Sequence, residues 1–120
     1  MEKTNFNFIK GDTYTRGFTI ENFDHTIEQV YFTVKESTKD RMYVLQKTLN
    51  NGIEIDPDIS NRYIITIDAD DTNGFKTGKD YVFDVEIITA PIKGKAIKRT
   101  IIGGNFNLDD WDVTSKRNEV

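Results

Sequence analysis

The chain draws its apolar residues from side chains that branch at Cβ: 15 Ile and 7 Val stand against 3 Leu and 3 Ala, with 14 Thr, 8 Phe and 5 Tyr beside them. Two heavy atoms on Cβ lose rotamer freedom against a helical turn but sit well on a pleated surface. The strong helix formers Ala and Leu are nearly missing. The chain therefore reads as mostly β. Its 120 residues are expected to form one domain. A hydrophobic fraction of 37% is lean but sufficient, because an alternating strand buries only one face.

Alternation locates the strands. Asn5–Ile9 sets Phe6 and Phe8 on one face, and Gly11-Asp12 reads as a turn. A second strand is expected over Tyr14–Glu21, followed by a polar connection. Val30–Lys35 is the clearest strand, with Val30, Phe32 and Val34 inward and Tyr31, Thr33 and Lys35 outward. Arg41–Thr48 leads through Asn51-Gly52, a tight-turn signal, to a short Ile53–Ile55. Asn61–Ile67 and Tyr81–Ile88 follow, the latter with Asp84 and Glu86 outward. A basic hairpin loop, Ala90–Lys95, precedes Ala96–Ile102. Gly103-Gly104 is expected to interrupt that strand with a bulge or bend before Asn105–Leu108. Residues 115–120 form a charged tail, expected to fray. Eight or nine short strands at even spacing, with no long helix, predict an antiparallel immunoglobulin-like β-sandwich.

Composition narrows function. Acidic residues outnumber basic ones by 20 to 16, giving a net charge of −4 and a pI of about 5.0. Nucleic-acid binders normally show a basic face, so no nucleic-acid partner is expected. Lys93, Lys95, Lys98, Arg99, Lys116 and Arg117 form only a modest cluster without interleaved aromatics. No apolar run approaches the roughly 20 residues of a membrane span, and no signal core follows the N-terminus. Cysteine is absent, which removes thiol chemistry and suits a reducing compartment.

The chemistry-bearing candidates are few. Asp68, Asp70 and Asp71 crowd hard oxygen ligands together, but Gly74 falls at the wrong place for an EF-hand loop, so a capped polar crossover is expected. His25, between Asp24 and Thr26, has no visible triad and reads as a loop residue. Asp84 and Glu86 share a strand face and could mimic a glycosidase pair, yet such alternation usually marks a solvated face. No catalytic, cofactor-binding or metal residue is therefore expected. Tyr81 opens its strand after a short turn and suits a tyrosine corner, with Phe75 plugging the core end and Gly78 supplying the turn. Trp111, among Asp109, Asp110 and Asp112, reads as a core cover clamping the C-terminal segment, with a sugar-stacking platform or an interface anchor as the alternatives. Tyr31 and Tyr43 are further candidate contact residues.

The order of motifs resembles a known family. Gly11-Asp12-Thr13, then Val30–Lys35, Leu45-Gln46-Lys47 and Gly52-Ile53 come in turn. Asp71-Thr72, Gly78, Tyr81–Val85, Thr100–Phe106 and Asp112-Val113-Thr114 complete the string. It is similar to the immunoglobulin-like domain at the N-terminus of phage baseplate upper proteins and to related small phage and prophage structural proteins. The likeness runs from about Phe6 to Thr114. It implies a virion component, made in the bacterial host cytoplasm, that acts by contact with other virion proteins or with itself and catalyses nothing. Baseplate upper proteins continue into further domains where this sequence ends at Val120. A carbohydrate-binding β-sandwich, stacking sugars on Trp111, Tyr31 or Tyr43, is the alternative.

Overall fold

The structure, a computed structural model, describes residues 1–20, 26–91 and 93–111. His25, Lys116 and Arg117 and the tail expected to fray lie outside the described residues. The chain forms β1 (Glu2–Lys3), β2 (Phe6–Ile9), β3 (Tyr14–Thr19), β4 (Ile27–Lys35), β5 (Leu45–Leu49), β6 (Gly52–Ile55), β7 (Arg62–Ile67), β8 (Tyr81–Thr89) and β9 (Lys98–Asp109). A single 3-10 turn, Ala69–Thr72, is the one helical element among the described residues. The protein is all-β, as the Ile, Val and Thr usage requires.

The strands form one continuous sheet in the order β1-β9-β8-β4-β5-β6-β7-β3, with β2 also paired to β9. The sheet curls so that its inward faces share one core, in which Val30, Phe32, Val34, Ile53, Ile65, Val85, Ile87 and Phe106 are buried. Phe6 joins the two chain ends to this core: its ring stacks on Phe83 at 4.5 Å between centroids.

The expectation of a purely antiparallel arrangement is corrected. β1 and β2 run parallel to β9, and β5 runs parallel to β6. Antiparallel pairing is enforced only where a short turn joins neighbours. β2 and β9 have nearly the whole chain between them, so no turn dictates their direction. β5 and β6 are joined by Asn50-Asn51, but Asn50 (φ 68) and Gly52 (φ 97) take left-handed conformations that step the chain sideways instead of reversing it. The Asn50 N–H then donates to Ile53 O at 2.7 Å, and β6 proceeds to β7.

Two boundaries also differ. Residues 41–44 are loop, and β5 starts at Leu45. Gly103-Gly104 do not interrupt β9, which runs unbroken through them. The register shift lies nearby, between Val85 and Glu86, where Val85 faces Ile102 and Glu86 faces Thr100. Gly104 is there because the N-terminal segment crosses it: any Cβ would strike Thr4 O. The Thr4 N–H donates to Gly103 O at 3.0 Å, and the Asn105 N–H donates to Asn5 Oδ1 at 3.1 Å.

Candidate functional site

Outward-facing residues of β4, β5, β8 and β9 build a shallow face. Register fixes its rows: Gly103, Asp84, Thr33 and Gln46 lie side by side across four strands, and Thr100, Glu86, Tyr31 and Thr48 form the next row. The loop before β5 folds over one end, held by a 2.7 Å bond from the Val44 N–H to Val34 O. This brings Tyr43 to the face. Tyr31 and Tyr43 thus line one groove of about 420 Å³ with Asp84 and Glu86, flanked by the cations Arg41 and Lys98. Tyr43 is 55% exposed and available for contact.

Most polar groups on this face are already engaged. The Gln46 amide donates to Thr33 Oγ1 at 3.0 Å, Lys35 Nζ donates to Asp40 O at 2.9 Å, and Lys98 Nζ lies 3.7 Å from Glu86. Asp84 differs. Its half-buried carboxylate makes no hydrogen bond and no ion pair among the described residues. Burial pushes its carboxyl above the usual range, the neighbouring Glu86 charge adds to this, and Lys35 and Lys98 pull the other way. Gly103 opposite it leaves a second hollow of about 340 Å³, with Met1 along its rim.

Trp111 is not part of this groove. At 74% exposed it covers no core, so the cover reading fails and the side chain is left in solvent. The reason is local: β9 ends at Asp109, whose carbonyl accepts the Lys10 N–H at 3.0 Å, and the chain then leaves the sheet. Tyr81 is interior, 1% exposed. Its hydroxyl accepts the Lys76 N–H at 2.8 Å, and its ring meets Phe75 edge-on at 4.7 Å. Gly78 (φ 76) makes the turn between them and donates to Leu108 O at 3.1 Å.

The aspartate stretch is internally committed. Asp71 accepts the Asp68 N–H at 2.7 Å and pairs with Lys47 Nζ at 2.7 Å. Lys47 sits on the inward side of β5, opposite Phe32, with its side chain only 12% exposed. Thr72, buried at the end of the same turn, accepts the Gly11 N–H at 2.9 Å. The Asp71 carboxylate thus ties the turn to its own backbone and to β5.

Sequence reasoning missed Arg41, Gln46 and Lys98 as partners of the two tyrosines, because nothing local reveals which strands become neighbours. It also missed Lys47, an inward lysine in a strand whose outward face is polar too.

No family model matches the chain, and no curated protein matches it. Among solved structures it is similar to an extracellular domain of the voltage-gated sodium channel beta4 subunit, a protein described as forming parallel homodimers that explain its role in cell-cell adhesion. The identity is 12%, the match covers 91% of this chain and 94% of that one, and the TM-score is 0.35.

Proposed function

We propose that this chain is a non-catalytic structural module of a phage or prophage particle, at the baseplate, tail or neck, working by protein–protein contact. In this reading the curled sheet is an immunoglobulin-like sandwich. On it, the β3, β7 and β6 end of the sheet order would form one layer and the β5, β4, β8 and β9 end the other, joined at the β5–β6 step. The bond from Lys76 to the Tyr81 hydroxyl supports that arrangement.

The groove holding Tyr31 and Tyr43 is the observation behind the functional reading. Two tyrosines with an arginine on a shallow, mixed-charge face match what protein interfaces select: large, stiff side chains with a polar tip. Modules repeated around a particle need only weak individual contacts. The expected result is recovery of the protein from purified particles by mass spectrometry, with Tyr31→Ala and Tyr43→Ala reducing its incorporation. Absence from particles, with retention on a polysaccharide column, would replace this reading by the carbohydrate-binding one. That alternative has one observation in its favour, the same pair of tyrosines beside two carboxylates.

A further inference from the structure

Among the described residues the sheet order leaves β3 paired on one side only, to β7. Which of its backbone groups are free follows from the ladder. Ile20 N–H donates to Asn61 O at 2.9 Å, so that pair is hydrogen-bonded. In an antiparallel ladder bonded and non-bonded pairs alternate. Phe18–Tyr63, Arg16–Ile65 and Tyr14–Ile67 are therefore the bonded pairs, and Thr15, Gly17 and Thr19 turn their N–H and C=O groups away from β7. β7 agrees: the Arg62 carbonyl, opposite Thr19, points the other way and accepts the Asp56 N–H at 2.9 Å.

Among the described residues this edge lacks the usual protection. Strand edges are normally blunted by proline, lysine, a bulge or a covering loop. β3 has six residues, no proline, no lysine and an unbroken register with β7. Its guard among the described residues is Arg16, an exposed residue on the inward-facing side whose guanidinium lies 5.0 Å above the Phe6 ring. Between β3 and the β1–β2 edge is an open hollow of about 240 Å³ floored by Phe6, Phe18, Ile65, Val85 and Ile102. The opposite edge is less suitable: β1 has two residues and is separated from β2 by Thr4-Asn5.

We propose that a second copy of this chain pairs with the β3 edge, antiparallel about a two-fold axis at Gly17, so that one sheet continues into the next. The strand is self-complementary in this register. Thr15 faces Thr19 of the second copy, and Gly17 faces Gly17, so free backbone groups meet free backbone groups. Arg16 falls opposite Phe18 of the second copy and exchanges one aromatic ring for another, while Phe18 points toward the hollow. A shift of the axis to Arg16 would set two guanidinium groups against each other, which like-charge repulsion disfavours. Glycine at the axis also matters, because the Arg62 guanidinium occupies the space a Cβ would need. The Asp56 carboxylate, 3.8 Å from Arg62 Nε, offsets that charge in each copy.

The contact is a six-residue edge, smaller than the roughly 800 Å² per partner of a stable interface, so the dimer is weak and concentration-dependent. The inference rests on the protein-contact reading only for its use in an assembly; the pairing is tested on the purified chain alone. Sedimentation velocity over a series reaching about 1 mM should show a monomer–dimer equilibrium. Thr15→Pro and Thr19→Pro each remove an outward donor, leave the β7 ladder whole, and should abolish the dimer with melting temperature unchanged. In case proline disturbs the strand, charge supplies a second handle on the register. Thr15→Lys with Thr19→Lys puts like charges directly opposite and should raise Kd about tenfold, whereas Thr15→Lys with Thr19→Glu should restore association. A wild-type chain that stays monomeric throughout, or a dimer indifferent to both charge pairs, overturns the proposal. A monomeric chain still found in particles would sink this pairing and leave the structural reading standing; a dimer absent from particles would do the reverse.

Discussion

Tyr81 and Asp84 stand three positions apart on β8 and face opposite ways, and their environments produce opposite consequences. The Tyr81 hydroxyl is the acceptor for an otherwise unpaired Lys76 N–H at the closed end of the core. Tyr81→Phe keeps the ring against Phe75 and removes only that acceptor. The expected cost is about 1–3 kcal/mol, read from denaturant midpoints, with far-UV circular dichroism unchanged. Asp84, on the outer face, has its carboxyl raised by burial and by Glu86. Its folded form therefore binds a proton more readily than the unfolded chain does. Stability contributed by this group is present at low pH, falls as pH rises from the ordinary carboxylate range through the raised folded value, and stays lost above it. Asp84→Asn should melt higher than wild type at pH 7, and the gap should close as pH is lowered below the ordinary Asp range. A gap independent of pH would show that the charge is not the cause.

Among the elements, the 3-10 turn Ala69–Thr72 shows how a polar stretch can serve packing. Lys47 reaches it from beneath β5, and Asp71 meets both that ammonium and the Asp68 N–H. Thr72 extends the hold to the β2–β3 turn through Gly11. Asp71→Asn should cost about 1–3 kcal/mol, because it leaves a largely buried ammonium without its counter-charge. Millimolar calcium should leave the wild-type melting temperature unmoved. A calcium-dependent rise reversed by chelator, and lost in Asp71→Asn, would mean that the turn rearranges to ligate metal. β9 makes a related point. Its two glycines resemble an interruption in the sequence, yet the strand passes straight through, and Gly104 records a crossing by Thr4 that a local window does not contain.

Across the whole molecule, the sheet is completed where β1 and β2 pair with β9. Phe6 pairs with Phe106 in register and stacks on Phe83. The core is thus sealed by contacts between segments about as far apart as the chain allows. Folding of such non-local β topology falls in the millisecond-to-second range, since loop closure precedes any gain from pairing. Phe6→Ala should cost about 3–5 kcal/mol, the usual range for a buried aromatic. That is a large part of the 5–15 kcal/mol available to a typical domain. Urea titration would measure it; a loss below about 1 kcal/mol would show that the N-terminal strand is dispensable.

Strand identity, inward faces and most turns were legible in the residues, because the period of two and the rotamer stiffness of Ile, Val and Thr act within a few positions. Val30, Phe32 and Val34 point inward, as their alternation requires. Pairing was not legible. The parallel partners of β9, the sideways step at Asn50 and Gly52, the inward Lys47 and the exposed Trp111 depend on which distant segments meet. The same holds for the candidate face: the sequence offered Tyr31, Tyr43, Asp84 and Glu86 singly, and only the registers of β4 with β5 and β8 set them around one groove. A strand's own residues fix which side faces the core, whereas its neighbours are chosen by the summed packing of the whole sheet. The free edge of β3 is therefore a property of the tertiary structure, and its self-complementary spacing of Arg16, Gly17 and Phe18 a property of the sequence.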